Sequence, residues 1–477
     1  METLVRASFT STTHRARSSA ASAREPNAPE VRTPVPGPRS RDAVAALATH
    51  ADVGSIRYFI DVDRSSGNYV VDADGNTILD MYAHIASLPV GYNHPKMLAA
   101  LRDDENVGVL AHRPALGNNP PVGWDQRVAR TLMRVAPEGL TRATTMACGA
   151  CANEHAMKAV FIAAANARRG GRAISDAEKE SCLTNAKPGS PGFKILSFDG
   201  AFHGRTAACL SLTHTKWIHK LDFPTFDWPS CPFPKLKYPL DRYERENAAE
   251  EARCLAEVEA ALDRDADVVG VIVEPMQAEG GDNHASADFF QKLRALTKSR
   301  GVRMIVDEVQ TGCGSSGTFW AHEAWNLEHP PDVVTFSKKM QIAGFYAVAD
   351  LAPELPYRIF NTWMGDPAKL VQLEVVLDCI EENLVRSRQV VGGDASRGIR
   401  KTPGEISEDF EQRSRGGDPR RSGRRHTRQT RRHFARTVAR RRRHRWVRRL
   451  DDSRETRSSF YLGARRRLPR CLRARSR

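Results

Sequence analysis

The chain has 477 residues and a formal net charge of +15. From Asp394 onward there are 29 Lys+Arg and 9 Asp+Glu, leaving 43 basic against 48 acidic residues before it, so the basic surplus belongs to the tail. Net charge therefore excludes nothing but a nucleic-acid reading of the body, while nine scattered cysteines exclude a disulfide framework and fit a reducing compartment, and no apolar run nears the ~20 residues of a membrane span.

In chain order, the first 24 residues, METLVRASFTSTTHRARSSAASAR, carry four arginines, many Ser, Thr and Ala, and one acid, Glu2. That is the composition of a mitochondrial transit peptide; an ordinary disordered N-terminus is the alternative, and residues 1–34 are assigned to one or the other. Order is expected to begin near VPGPRSR (35–41), which leads into the helical pattern DAVAALAT. The middle alternates strands and helices. KILSFD (194–199), VVGVIVEP (268–275), VRMIVDE (302–308) and DVVTFSK (332–338) are short, continuous apolar runs ending at polar residues. Helical stretches precede the first three: ANEHAMKAVFIAAANAR, ENAAEEARCLAEVEAAL and ADFFQKLRALTKSR. Continuous hydrophobicity marks strands covered on both faces, which predicts an α/β fold around a largely parallel sheet.

In such sheets chemistry collects at the carboxyl ends of the strands, where Glu274, Asp307 and Lys338 fall. An acid and a lysine at neighbouring strand ends are what pyridoxal phosphate requires. The carboxylate keeps the pyridine nitrogen protonated, and the lysine carries the cofactor covalently. From these residues alone a second reading stays open, in which Asp307 and Glu308 cap a loop and Lys338 is solvated.

The segments VIVEPMQAEGGDNHAS, VDEVQTG, TFSKK, GAFHGRT and RIFNTWMGDP together resemble the class III pyridoxal-phosphate aminotransferases, and within them the enzymes acting on 4-aminobutyrate. The resemblance runs from Val35 to Val391, about three quarters of the chain. It implies the type I pyridoxal-phosphate transferase fold: a large domain with a mainly parallel sheet, a small domain built from both chain ends, and a homodimer with shared active sites. The implied division is 35–95 for the N-terminal part of the small domain, 96–375 for the cofactor domain and 376–393 for the start of an incomplete C-terminal part. The implied reaction moves the amino group of 4-aminobutyrate to 2-oxoglutarate, in the mitochondrial matrix or alternatively the cytoplasm.

Site residues carry over one by one from the resemblance. Lys338, the first lysine of FSKK, would carry the cofactor, with Lys339 a flanking charge; Asp307 would pair with the pyridine nitrogen. Phe202 would stack on the ring with His203 beside it, and Gln310 would lie near the phenolic oxygen. Gly149 and Ala150 would open a helix that cradles the phosphate, Ala150 standing where the family usually has Ser. Thr362 would reach the phosphate from the partner subunit. Arg205 would grip the substrate carboxylate, Ile85 would line the substrate side, and Glu279 would alternate the site between its two substrates.

Cys148 and Cys151 form a single Cys-x-x-Cys, a weak metal signal without a second pair. The resemblance implies a [2Fe-2S] cluster shared across the dimer; two free thiols are the alternative. The tail from Asp394 to residue 477 holds 28 arginines and one lysine and loses all apolar periodicity, so it is expected to be disordered. It supplies no match for the arginine that should oppose Glu279. Out-of-frame translation explains its composition, leaving an impaired enzyme; a genuine arginine-rich tail would bind nucleic acid non-specifically.

Overall fold

The computed structural model describes residues 25–398, so the transit-like segment and nearly all of the arginine-rich tail lie outside the described residues. Order begins before Val35: Glu30 exchanges main-chain hydrogen bonds with Thr77, and Asn76 Oδ1 accepts from the backbone of Arg32 and Thr33 at 2.8 and 3.0 Å. Strands β1 (Ile60–Ser66), β2 (Tyr69–Asp72) and β3 (Thr77–Leu79) then form a small antiparallel sheet.

The four apolar runs read from the sequence become strands, and three further segments join them. β4 (Arg142–Met146), β5 (Lys194–Phe198), β6 (Ser230–Cys231), β7 (Val268–Val273), β8 (Arg303–Asp307), β9 (Val333–Phe336) and β10 (Ala343–Ala347) make a seven-stranded sheet ordered β4-β10-β9-β8-β7-β5-β6. The run from β9 through β8, β7 and β5 to β6 is parallel, whereas β10 lies antiparallel to both β9 and β4.

Successive strand residues point to opposite faces, and here both faces are buried. On one face Ile195, Ile272, Ile305 and Val333 pack with Ala152, Ala156 and Val160 of the helix Gly149–Arg169. On the other, Leu196, Val271, Met304 and Val306 pack with Val258 of the helix Glu244–Arg264 and with Phe289, Phe290 and Leu293 of the helix Ala287–Ser299. This double covering is why the runs read as continuous rather than alternating. One helix, Pro367–Gly398, crosses residue 376 and Asp394 without a break. No helix among the described residues is long and apolar enough to cross a membrane.

Candidate active site

The carboxyl end of the sheet gathers the charges that the sequence places there. Asp307, the last residue of β8, is 5% exposed. Its Oδ2 accepts from Asn153 Nδ2 at 2.8 Å and meets His203 Nδ1 at 2.8 Å, while Oδ1 accepts from Val309 N at 3.0 Å. Burial alone would raise its pKa, but these donors, His203 foremost, hold it below the ordinary carboxylate value, so Asp307 is a buried anion. Glu274, just beyond β7, accepts from Phe202 N at 2.9 Å, and burial beside Asp307 pushes its carboxyl well above the usual range. The pKa values of two neighbouring acids are thus pushed in opposite directions, a mark of sites that do acid–base work.

Lys338 lies two residues past β9 with a left-handed φ of 49°, and its Nζ donates to Gln310 Oε1. Burial lowers its pKa, against the pull of Asp307, Glu274 and Glu279, which favours a neutral amine. Lys339 is more than a solvated flank. It is half-buried, its pKa is also lowered by burial, and its Nζ donates to the main-chain carbonyl of Gln310. The two lysines are separated by their surroundings: Lys338 faces the carboxylates at the strand ends, whereas Lys339 faces Cys313 and Glu308.

The helix Gly149–Arg169 points its N-terminus at this cluster. A Cβ on Gly149 would come within 2.7 Å of Val309 and 3.5 Å of Ser337, so only glycine lets the helix start so close to β8 and β9. Asn153, one turn further on, donates both to Asp307 and to the carbonyl of His203, at 2.8 Å each. Sequence reasoning missed Asn153. Its signal was a lone polar residue on the alanine-rich inner face of a helix.

Phe202, His203 and Arg205 share the loop after β5. Phe202 is half-buried, with its ring edge-on to His219 at 5.6 Å, and Arg205 is exposed, with Nη2 3.2 Å from His219 Nε2. Glu279 sits in a turn pressed against that loop: a Cβ on Gly280 would fall 2.1 Å from the carbonyl oxygen of Gly200. Glu279 is itself ion-paired, its Oε1 lying 2.6 Å from Lys216 Nζ. Neither Lys216 nor His219 was marked by the sequence, since neither lies in a motif. Ile85 is exposed in a left-handed turn, Ala83–Ala86, that connects to the Lys338 turn through Gln341 Nε2 and the Ser87 carbonyl at 3.2 Å. Thr362 is exposed. Cys148 caps the Gly149 helix and is exposed, Cys151 is half-buried, and no group of three or more His, Cys, Asp or Glu suited to a metal occurs among the described residues.

These residues fit pyridoxal phosphate. His203 Nε2 and Asn153 Oδ1 are buried without partners beside the Asp307 anion, so the site has polar capacity that the chain does not use. A helix N-terminus for a phosphate and a lysine whose pKa burial lowers complete the requirement.

The fold and the site define a pyridoxal-phosphate-dependent aminotransferase of fold type I, and the chain belongs to the class III aminotransferases, whose family model matches residues 50–402. It is 48% identical over 369 residues to the mitochondrial 4-aminobutyrate aminotransferase of Sus scrofa, covering 76% of this chain and 74% of that one. It is 50% identical over 367 residues to the 4-aminobutyrate aminotransferase of Dictyostelium discoideum, covering 77% and 74%. Among solved structures, a lysine aminotransferase from M. tuberculosis superposes with a TM-score of 0.65 at 31% identity, over 78% of this chain and 83% of that one.

Proposed function

We propose that this enzyme transfers the amino group of 4-aminobutyrate to 2-oxoglutarate, giving succinate semialdehyde and glutamate. The identity of near 50% to 4-aminobutyrate aminotransferases, over about three quarters of the chain, carries this reading.

Bound pyridoxal phosphate supplies an electron sink for the carbanion at the amine-bearing carbon. Asp307, kept ionised by His203 and Asn153, would hold the proton on the ring nitrogen. The N–H groups at Gly149 and Ala150, at the start of their helix, would hold the phosphate, Phe202 and His203 would flank the ring, and Gln310, which accepts from Lys338 Nζ, would orient that amine. Lys338 would carry the cofactor and move the proton at the reacting carbon, roles that a pKa lowered by burial favours. Arg205 takes the substrate carboxylate, Ile85 borders it, and Glu279 answers the second carboxylate of the other substrate. In a homodimer, exposed Thr362 would reach the phosphate of the other copy. Cys148 and Cys151 offer half of a four-thiol set that a two-fold axis would complete as a [2Fe-2S] site; iron and sulfide assays on the dimer check this. The matrix is the assigned compartment, tested by importing the full chain into isolated mitochondria.

The deciding experiment loads the protein with pyridoxal phosphate and compares 4-aminobutyrate, lysine and ornithine as donors to 2-oxoglutarate. Higher kcat/KM for 4-aminobutyrate is expected, and a preference for lysine sinks the assignment. Borohydride reduction should fix the cofactor on Lys338, not Lys339.

A further inference from the structure

An arginine that binds a carboxylate must be oriented without being neutralised. Among the described residues no carboxylate pairs with Arg205, and its guanidinium instead meets His219 at 3.2 Å. The nearby acid, Glu279, is held by Lys216 at 2.6 Å. We propose that His219 is a positioning residue for substrate binding: its neutral imidazole fixes Arg205 while leaving the whole charge for the substrate carboxylate. This rests on Arg205 being the carboxylate-binding group.

The hydrogen-bond chemistry sets the tautomer. A guanidinium only donates, so His219 Nε2 must accept, and Nδ1 then carries the proton and faces Thr215 Oγ1 at 3.3 Å. The ring is held at a third point by its edge-on contact with Phe202, 5.6 Å between centroids at 79°. Arg205 itself lies 5.9 Å over the same Phe202 ring, so the guanidinium is held between that ring and the imidazole. The charges that face His219 are Arg205, Lys216 and Glu279. Burial and the two cations lower its pKa and outweigh the carboxylate, so the acceptor form prevails at neutral pH. Protonation removes the acceptor and sets a third cation beside Arg205 and Lys216.

The test uses the holoenzyme and three variants. His219→Ala should raise the KM for 4-aminobutyrate about tenfold, the size of one hydrogen bond to a charged group, while kcat changes less than about twofold. His219→Gln, which keeps an acceptor, should recover most of that loss. For butylamine, a donor without a carboxylate, His219→Ala should leave kcat/KM unchanged. In the parent enzyme KM should climb only once pH falls below the ordinary imidazole range, because burial and the two cations lower the His219 pKa, and the climb should be absent in His219→Gln. An unchanged KM in His219→Ala, with a raised one in Arg205→Ala, overturns the positioning role and leaves the function standing. Equal losses for butylamine also overturn it. An unchanged KM in Arg205→Ala overturns both.

Discussion

Two buried aspartates stand at opposite ends of the same sheet, and they are used differently. Asp332, before β9 at the amino end, is 4% exposed and lies between two guanidiniums: Arg294 Nη1 at 2.6 Å and Arg303 Nη1 at 2.9 Å, with Met304 N donating at 2.8 Å. Asp307, at the carboxyl end, is 5% exposed but is held by a histidine, an asparagine amide and a main-chain N–H. Permanent cations close the first site. Weaker donors leave the second with unspent charge and unpartnered polar atoms beside it. A buried anion matched by two arginines stabilises a fold, whereas one held without a permanent cation is available to a ligand.

The largest expected effect belongs to the carboxyl end. Lys338→Ala should cut turnover by about a thousandfold or more, since it removes both the covalent anchor and the proton-moving amine. The melting temperature should stay near the parent's, because Lys338 is only partly buried; a large drop would mean that the site also holds the fold together.

Next comes the amino end. Asp332→Ala leaves two guanidiniums without their shared anion and should cost about 3–5 kcal/mol, read from urea unfolding, with activity retained in the fraction that stays folded. Asp307→Asn, a change of charge at constant shape, should shift the balance: a smaller loss of stability than Asp332→Ala and a far deeper loss of turnover. Equal effects at the two ends would erase the distinction between them.

Acid should sharpen it. Both aspartates have folded pKa values below the ordinary carboxylate value, so each contributes stability that is present above about pH 4 and lost as pH falls through the folded value. Asp332→Asn should therefore lower stability at neutral pH and flatten its decline in acid, which circular dichroism against pH reads directly. A variant as acid-sensitive as the parent would place the acid response elsewhere.

The smallest effect is on the exposed rim. Lys216→Ala should raise the KM for 2-oxoglutarate by about fivefold at most, because an exposed pair contributes up to about 1 kcal/mol, and should change the KM for 4-aminobutyrate less. Absence of any change would show that Glu279 finds its counter-ion elsewhere.

The sequence alone determined the parallel core and the chemistry at its edge. Strands covered on both faces must be continuously apolar, so β5, β7, β8 and β9 were visible as runs, and the polar residues ending them were Glu274, Asp307 and Lys338. It did not determine the reversed strand β10, whose short segment AGFYA carries no signal of direction. Nor did it reveal the partners of the site: Asn153 lies 154 residues from Asp307, and Lys216 lies 63 from Glu279. Even the choice between adjacent lysines came from resemblance. Only the fold, by turning the backbone left-handed at Lys338, sends one amine toward Asp307, Glu274 and Glu279 and the next toward Cys313 and Glu308. Periodicity records which face a residue occupies; which group waits there is settled by contacts distant in the chain.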